Sequence, residues 1–129
     1  MINMNRDTIF NLRPLEISKV RKEVPAMLVE GEVILWPFHS IRDQVIFTNK
    51  RIIVIDVQGL TGMRKSFATL PYSTIQFFEV QTAGFLEIFA DAELYIKFAD
   101  GFTTCLEFKA NTNMPEMCRL ISEHVLANS

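Results

Sequence analysis

Residues 43–55 read DQVIFTNKRIIVI, and their pattern decides the fold. Two apolar runs, Val45-Ile46-Phe47 and Ile52-Ile53-Val54-Ile55, flank the polar turn Thr48-Asn49-Lys50-Arg51. Runs of β-branched and aromatic residues broken by a short turn containing Asn define a β-hairpin. Neither run alternates with polar residues. Val45 and Phe47 point one way and Ile46 the other, while Ile52 and Val54 oppose Ile53 and Ile55. Strands that are apolar on both sides must be covered on both sides.

Working outward, residues 1–13 read as a polar arm. Pro14 suits a first helical turn, Leu15, Ile17 and Val20 share part of a face, and Pro25 is expected to break the helix. This N-terminal part, residues 1–31, is expected to pack on the sheet, and residues 32–129 form the domain proper. Strands are expected at 33–38, 43–47, 51–57, 64–70, 75–81, 92–98 and 102–108. Pro37 places the first of them near an edge or a bulge. The last two alternate cleanly, with Leu94, Ile96, Leu106 and Phe108 on one face and Glu93, Tyr95, Cys105 and Glu107 on the other. A helix over about 114–127 follows, capped by Asn113 with Glu116 three residues on. Seven short strands and one amphipathic helix make a mainly β domain with an antiparallel barrel or sandwich closed by the helix.

The chain has 129 residues, enough for one domain with a full core. Hydrophobic residues make up 49% and Phe alone contributes 11, so large apolar area needs a core or a partner. The net charge of −2 gives no global field for nucleic acid or anionic lipid. Cys105 and Cys118 read as reduced thiols, and no apolar run reaches the ~18 residues of a spanning helix, so a cytoplasmic location is expected.

Several strings occur in a telling order: Arg42-Asp43, Phe47-Thr48-Asn49-Lys50-Arg51, Asp56, Gln58-Gly59, Thr61-Gly62, residues 71–75 (PYSTI), Thr82-Ala83-Gly84 and Ala92-Glu93. In this succession the chain resembles the bacterial pleckstrin-homology-like (PH-like) family. The resemblance implies seven antiparallel strands in two orthogonal sheets capped by a C-terminal helix. It also implies a domain whose relatives assemble into symmetric rings.

No HExxH, CxxC or nucleotide-binding glycine loop is present, and His39 and His124 lie far apart, so no enzyme, cofactor or metal site is expected. Anion binding would need convergent cations, and the candidates are Arg42, Lys50, Arg51, Arg64 and Lys65. The alternative for the hairpin charges is structural, with Asp43 and Arg51 paired across it. Self-association accounts for more of the sequence. The two-sided strands and the paired rings place a homo-oligomer interface at Val45, Ile46, Phe47, Ile53, Ile55, Phe77 and Phe78. Phe85, Leu86, Ile88 and Phe89 add apolar weight to a loop after Gly84.

Overall fold

The computed structural model describes residues 6–82, 91–109 and 112–127. Strand β1 (Arg6–Pro14) is followed by a 3-10 turn (Ile17–Lys19) and a short helix α1 (Glu23–Met27). Then come β2 (Ile34–His39), β3 (Gln44–Thr48), β4 (Arg51–Gln58), β5 (Arg64–Pro71), β6 (Ile75–Thr82), β7 (Ala92–Phe98) and β8 (Thr103–Phe108). Helix α2 (Met114–Ala127) follows, and its N-terminus is capped as expected, with the Glu116 N–H donating to Asn113 Oδ1 at 3.2 Å.

The architecture is mainly β with a C-terminal helix, but the expected two sheets are one. Its strand order is β5-β4-β3-β2-β1-β8-β7-β6. The reason is β1, read from sequence as an arm. Its first half runs parallel to β8, from Arg6 beside Thr103 to Ile9 beside Leu106. At Asn11 the backbone takes a left-handed φ of 59°, which Asn tolerates better than most residues, and the register shifts. The second half then pairs with β2 through Arg13 and Pro14. One bent strand thereby hydrogen-bonds the β2–β5 group to the β6–β8 group.

The central hairpin keeps the register that its pattern demands, with Val45 opposite Val54, Ile46 opposite Ile53 and Phe47 opposite Ile52. Val45, Phe47, Ile52 and Val54 face the main core with Leu94, Ile96, Leu106, Phe108, Met117 and Ile121. Ile46, Ile53 and Ile55 face the other way, into a second cluster closed by Val24 of α1 with Val20, Met27 and Leu28 around it. The short helical segment expected from Pro14 is a 3-10 turn and a five-residue helix. Pro25 does not break α1; it sits within the first turn, where backbone N–H groups lack intrahelical acceptors anyway. Pro37 lies in an interior strand beside a register shift between Ile34 and Trp36.

Leu12, fully buried next to the bend in β1, ties this strand to the main core. Leu12→Ala is expected to cost about 2–5 kcal/mol. Urea denaturation checks this, and a change below about 1 kcal/mol would mean that β1 is peripheral.

Candidate functional site

The hairpin charges come first, because their surroundings decide what they are free to do. Arg51 does not pair with Asp43. Its guanidinium grips Glu32 in a two-point ion pair, with Nε to Oε2 at 2.9 Å and Nη2 to Oε1 at 3.0 Å. The same guanidinium donates to Met27 O at 2.8 Å and to Thr69 Oγ1 at 3.0 Å. The Glu32 side chain is fully buried, and it also accepts hydrogen bonds from Thr48 Oγ1 at 2.7 Å and the Val29 N–H at 3.0 Å. Burial pushes its carboxyl up, yet the hydrogen bonds from Arg51, Thr48 and Val29 and the guanidinium charge outweigh this and hold it below its ordinary value. Neighbouring Asn49 fastens the turn to the chain before β2, accepting from the Val33 N–H at 2.9 Å and donating to Gly31 O at 3.0 Å.

Asp43 is committed differently. Its Oδ1 accepts the Val57 N–H at 3.0 Å. Its carboxyl is raised above the ordinary range by burial first, against the Val57 hydrogen bond, and further by the charge and side-chain hydrogen bond of Asp56. The correction to the Asp43–Arg51 pairing follows from register: Gln44 opposite Ile55 brings Asp43 beside Asp56, at the far end of β4 from Arg51.

The five cations do not converge. Lys50 and Arg51 belong to the β3–β4 turn, whereas Arg42, Arg64 and Lys65 sit at the other end of those strands. Lys65 lies 3.7 Å from Glu23, and Arg42 donates to Gly59 O at 2.6 Å. An open cavity of about 380 Å³ beside the β2–β3 loop is lined by Asn11, Ser40, Arg42, Asp43 and Asp56 among others. One guanidinium beside two carboxyl groups is a poor seat for a polyanion.

The apolar set also divides. Val45, Ile46, Phe47, Ile53 and Ile55 are fully buried within the chain and offer no surface, because the main core and the α1 cluster take one face each. Phe78 is half-buried against the main core. Phe77 is different: 48% exposed, it meets Tyr95 edge to face with ring centroids 6.2 Å apart. Both belong to the outer face of β6–β8, where Cys105 lies opposite Tyr95. Burial and the neighbouring Glu93 and Glu107 carboxylates push the Cys105 thiol up, which keeps it protonated and unreactive. The apolar loop after Gly84 falls outside the described residues. Sequence reasoning missed Ile41, Leu60 and Met63, which stand in solvent on the loops beside Arg42. Their signal was lone aliphatic residues among glycines and polar residues in a turn.

This arrangement of strands and closing helix is a PH-like fold. The chain belongs to the bacterial PH domain family, whose model matches residues 3–125. It is 30% identical over 112 residues to the uncharacterised protein YjqA of Bacillus subtilis, covering 87% of this chain and 90% of that one. To the uncharacterised protein YozO of the same organism it is 36% identical over 104 residues, covering 81% and 88% respectively. A crystal structure of a DUF1696-family protein with a pleckstrin-homology domain from Shewanella loihica superposes with a TM-score of 0.74 at 30% identity, over 91% of this chain and 99% of that one. Among the described residues, no helix is long and apolar enough to cross a membrane.

Arg51→Ala is expected to destabilise the domain by about 3–5 kcal/mol, since it strands a buried carboxylate. Because the Glu32 carboxyl is depressed in the fold, its stabilisation is complete above the ordinary carboxylate range. It is lost as pH falls through the lower folded value. Denaturant midpoints across acid pH should therefore drop in the wild type, and drop less in the Arg51→Ala variant. Parallel pH profiles would contradict this role.

Proposed function

We propose that this PH-like domain is a non-catalytic interaction module that self-associates through β6 into a symmetric homo-oligomer and scaffolds protein contacts. The observation that carries this reading is the contrast between the two ends of the sheet. Strand β5, at one end, carries Arg64, Lys65 and Pro71, the charged and proline residues that discourage edge pairing. Strand β6, at the other end among the described residues, is eight residues long, reads IQFFEVQT and carries no Lys, Arg or Pro. Such an edge presents backbone donors and acceptors to any strand that can align with it.

Antiparallel pairing of β6 with β6 of a second copy about a two-fold axis continues the sheet across both subunits. An edge alone buries little, and a stable interface needs about 1,200–2,000 Å². Phe77 and Tyr95 on the adjoining face supply apolar area for the same contact. A larger ring would take a second contact in addition.

The head-group alternative draws less support. Arg51 is consumed by Glu32 and Lys65 lies beside Glu23, leaving no convergent cluster of the five cations.

The test is solution mass by light scattering at low and high salt. The wild type is expected at a salt-stable multiple of the 14.8 kDa chain. Phe77→Asp is expected to fall to the monomer mass with an unchanged circular dichroism spectrum. Phe78 is unsuitable for this purpose, since a charge there would disturb the core. A wild-type monomer, or an unchanged mass in Phe77→Asp, would refute the assignment.

A further inference from the structure

The segment between β1 and α1 carries a run of cations that the fold sets in one row. Residues 13–22 hold Arg13, Lys19, Arg21 and Lys22. Register fixes where they lie. Arg13 stands opposite His39 of β2, and His39 stands opposite Gln44 of β3. Residues opposed in antiparallel strands share a face. Gln44 lies two residues before Ile46, so this is the face that carries the second cluster. Gln44 extends the row onto the crossing segment: its Oε1 accepts the Arg21 N–H at 3.0 Å, and its Nε2 donates to Lys19 O at 3.1 Å. The Leu15 N–H donates to Pro37 O at 2.9 Å, which pins the start of the same segment to β2.

Arg13, Lys19 and Lys22 are exposed, whereas Arg21 is half-buried. Among the described residues, Arg21 Nε is shut off from solvent without a hydrogen-bond partner, and no acid pairs with its guanidinium. A donor that has lost water and gained no acceptor is costly. A carboxylate gripped at two points by the Nε edge, after a small turn of the side chain, restores what burial removes. The acids nearby do not cancel the row. Asp43 and Asp56 lie two residues from Val45 and Val54 and share their face, toward the main core. Glu23 lies 3.7 Å from Lys65. Glu16 is the one acid among residues 13–22. Ile17, 61% exposed, adds an apolar side chain between the cations.

We propose that this row receives an extended acidic segment of a partner protein, with carboxylates on Arg13 and Arg21 and an aliphatic residue on Ile17. The inference rests on the scaffolding part of the function above, whose partner chemistry it names, and does not require self-association through β6. The length of the row decides the ligand class. Arg13 and Gln44 are two strands apart, which is about 10 Å. A lone phosphate touches one end of such a row. An extended chain rises about 3.3 Å per residue with side chains alternating, so a few residues cross it and place acidic groups at both ends. A single-stranded nucleic acid would call for aromatic side chains among the cations, and Ile17 stands there instead.

A labelled peptide of alternating Glu and Leu tests this by fluorescence anisotropy on the full chain, with Gln in place of Glu as the neutral control. Binding is expected for the acidic peptide alone, and it is expected to weaken as salt rises. Arg21→Gln is expected to weaken it about tenfold, and Lys19→Gln about threefold. Arg64→Gln, which removes a charge elsewhere, is expected to leave it unchanged. Lys19 is exposed, so its variant tests the row without disturbing the fold. Absence of wild-type binding, equal binding of the neutral peptide, or unchanged binding in Lys19→Gln would overturn the proposal. So would tighter binding of polyuridine RNA or of phosphatidylglycerol vesicles through Arg21 and Lys19, which would give the row to another class of partner. A fall in particle mass in Lys19→Gln without peptide would overturn it too, by assigning the row to a second copy. A wild-type monomer that binds the peptide would refute pairing through β6 and leave this proposal standing; an oligomer that does not bind would do the reverse.

Discussion

A carboxylate with no access to solvent, Glu32, held at two points by Arg51, is the constraint on which the rest of this domain depends. The pair joins the chain leaving α1 to the β3–β4 turn, and Arg51 extends the tie to Met27 and to Thr69 of β5. Thr48 bonds Glu32 and also receives the Lys50 and Arg51 N–H groups, both at 3.0 Å. Tyr72 closes the other side by donating to Thr48 O at 2.7 Å. With the segment anchored there, Val24 can sit over Ile46, Ile53 and Ile55 and give the central hairpin its second cover. A buried pair of this kind adds little net stability over an apolar substitute, but breaking it leaves an uncompensated charge. Its contribution is to fix one geometry.

That second cover divides the sheet into unlike halves. The β3–β4 region is enclosed on both faces, while β7 alternates buried and exposed residues along its whole length. The outer face of β6–β8 is where Phe77 and Tyr95 remain in contact with water. The bent strand β1 joins these halves, so the sheet has two ends of different character. One carries Arg64, Lys65 and Pro71; the other carries no Lys, Arg or Pro.

Strands β2–β8 and helix α2 were legible in the sequence because hydrophobic period, turn residues and the Asn113 cap are local signals. Strand β1 was not. Its partners are β8, nearly a hundred residues away, and two residues of β2, and its polar composition hides a role that is made of backbone pairing. The doubly apolar hairpin correctly demanded two covers, but the sequence does not show that a five-residue helix is sufficient for one of them. The surplus was assigned to an interface at Val45–Phe47, Ile53 and Ile55, all of which are interior. The partner of Arg51 was missed for a similar reason: Glu32 lies outside the hairpin, and only the folded path of the chain brings it there.

The central claim is that β6, the end strand of the sheet among the described residues, is open to pairing. Amide hydrogen exchange along residues 75–82, followed over a dilution series, tests it most directly. Protection of these amides is expected to fall as the protein is diluted, while that of β3 and β4 stays constant. Exchange along β6 that is independent of concentration would contradict the account.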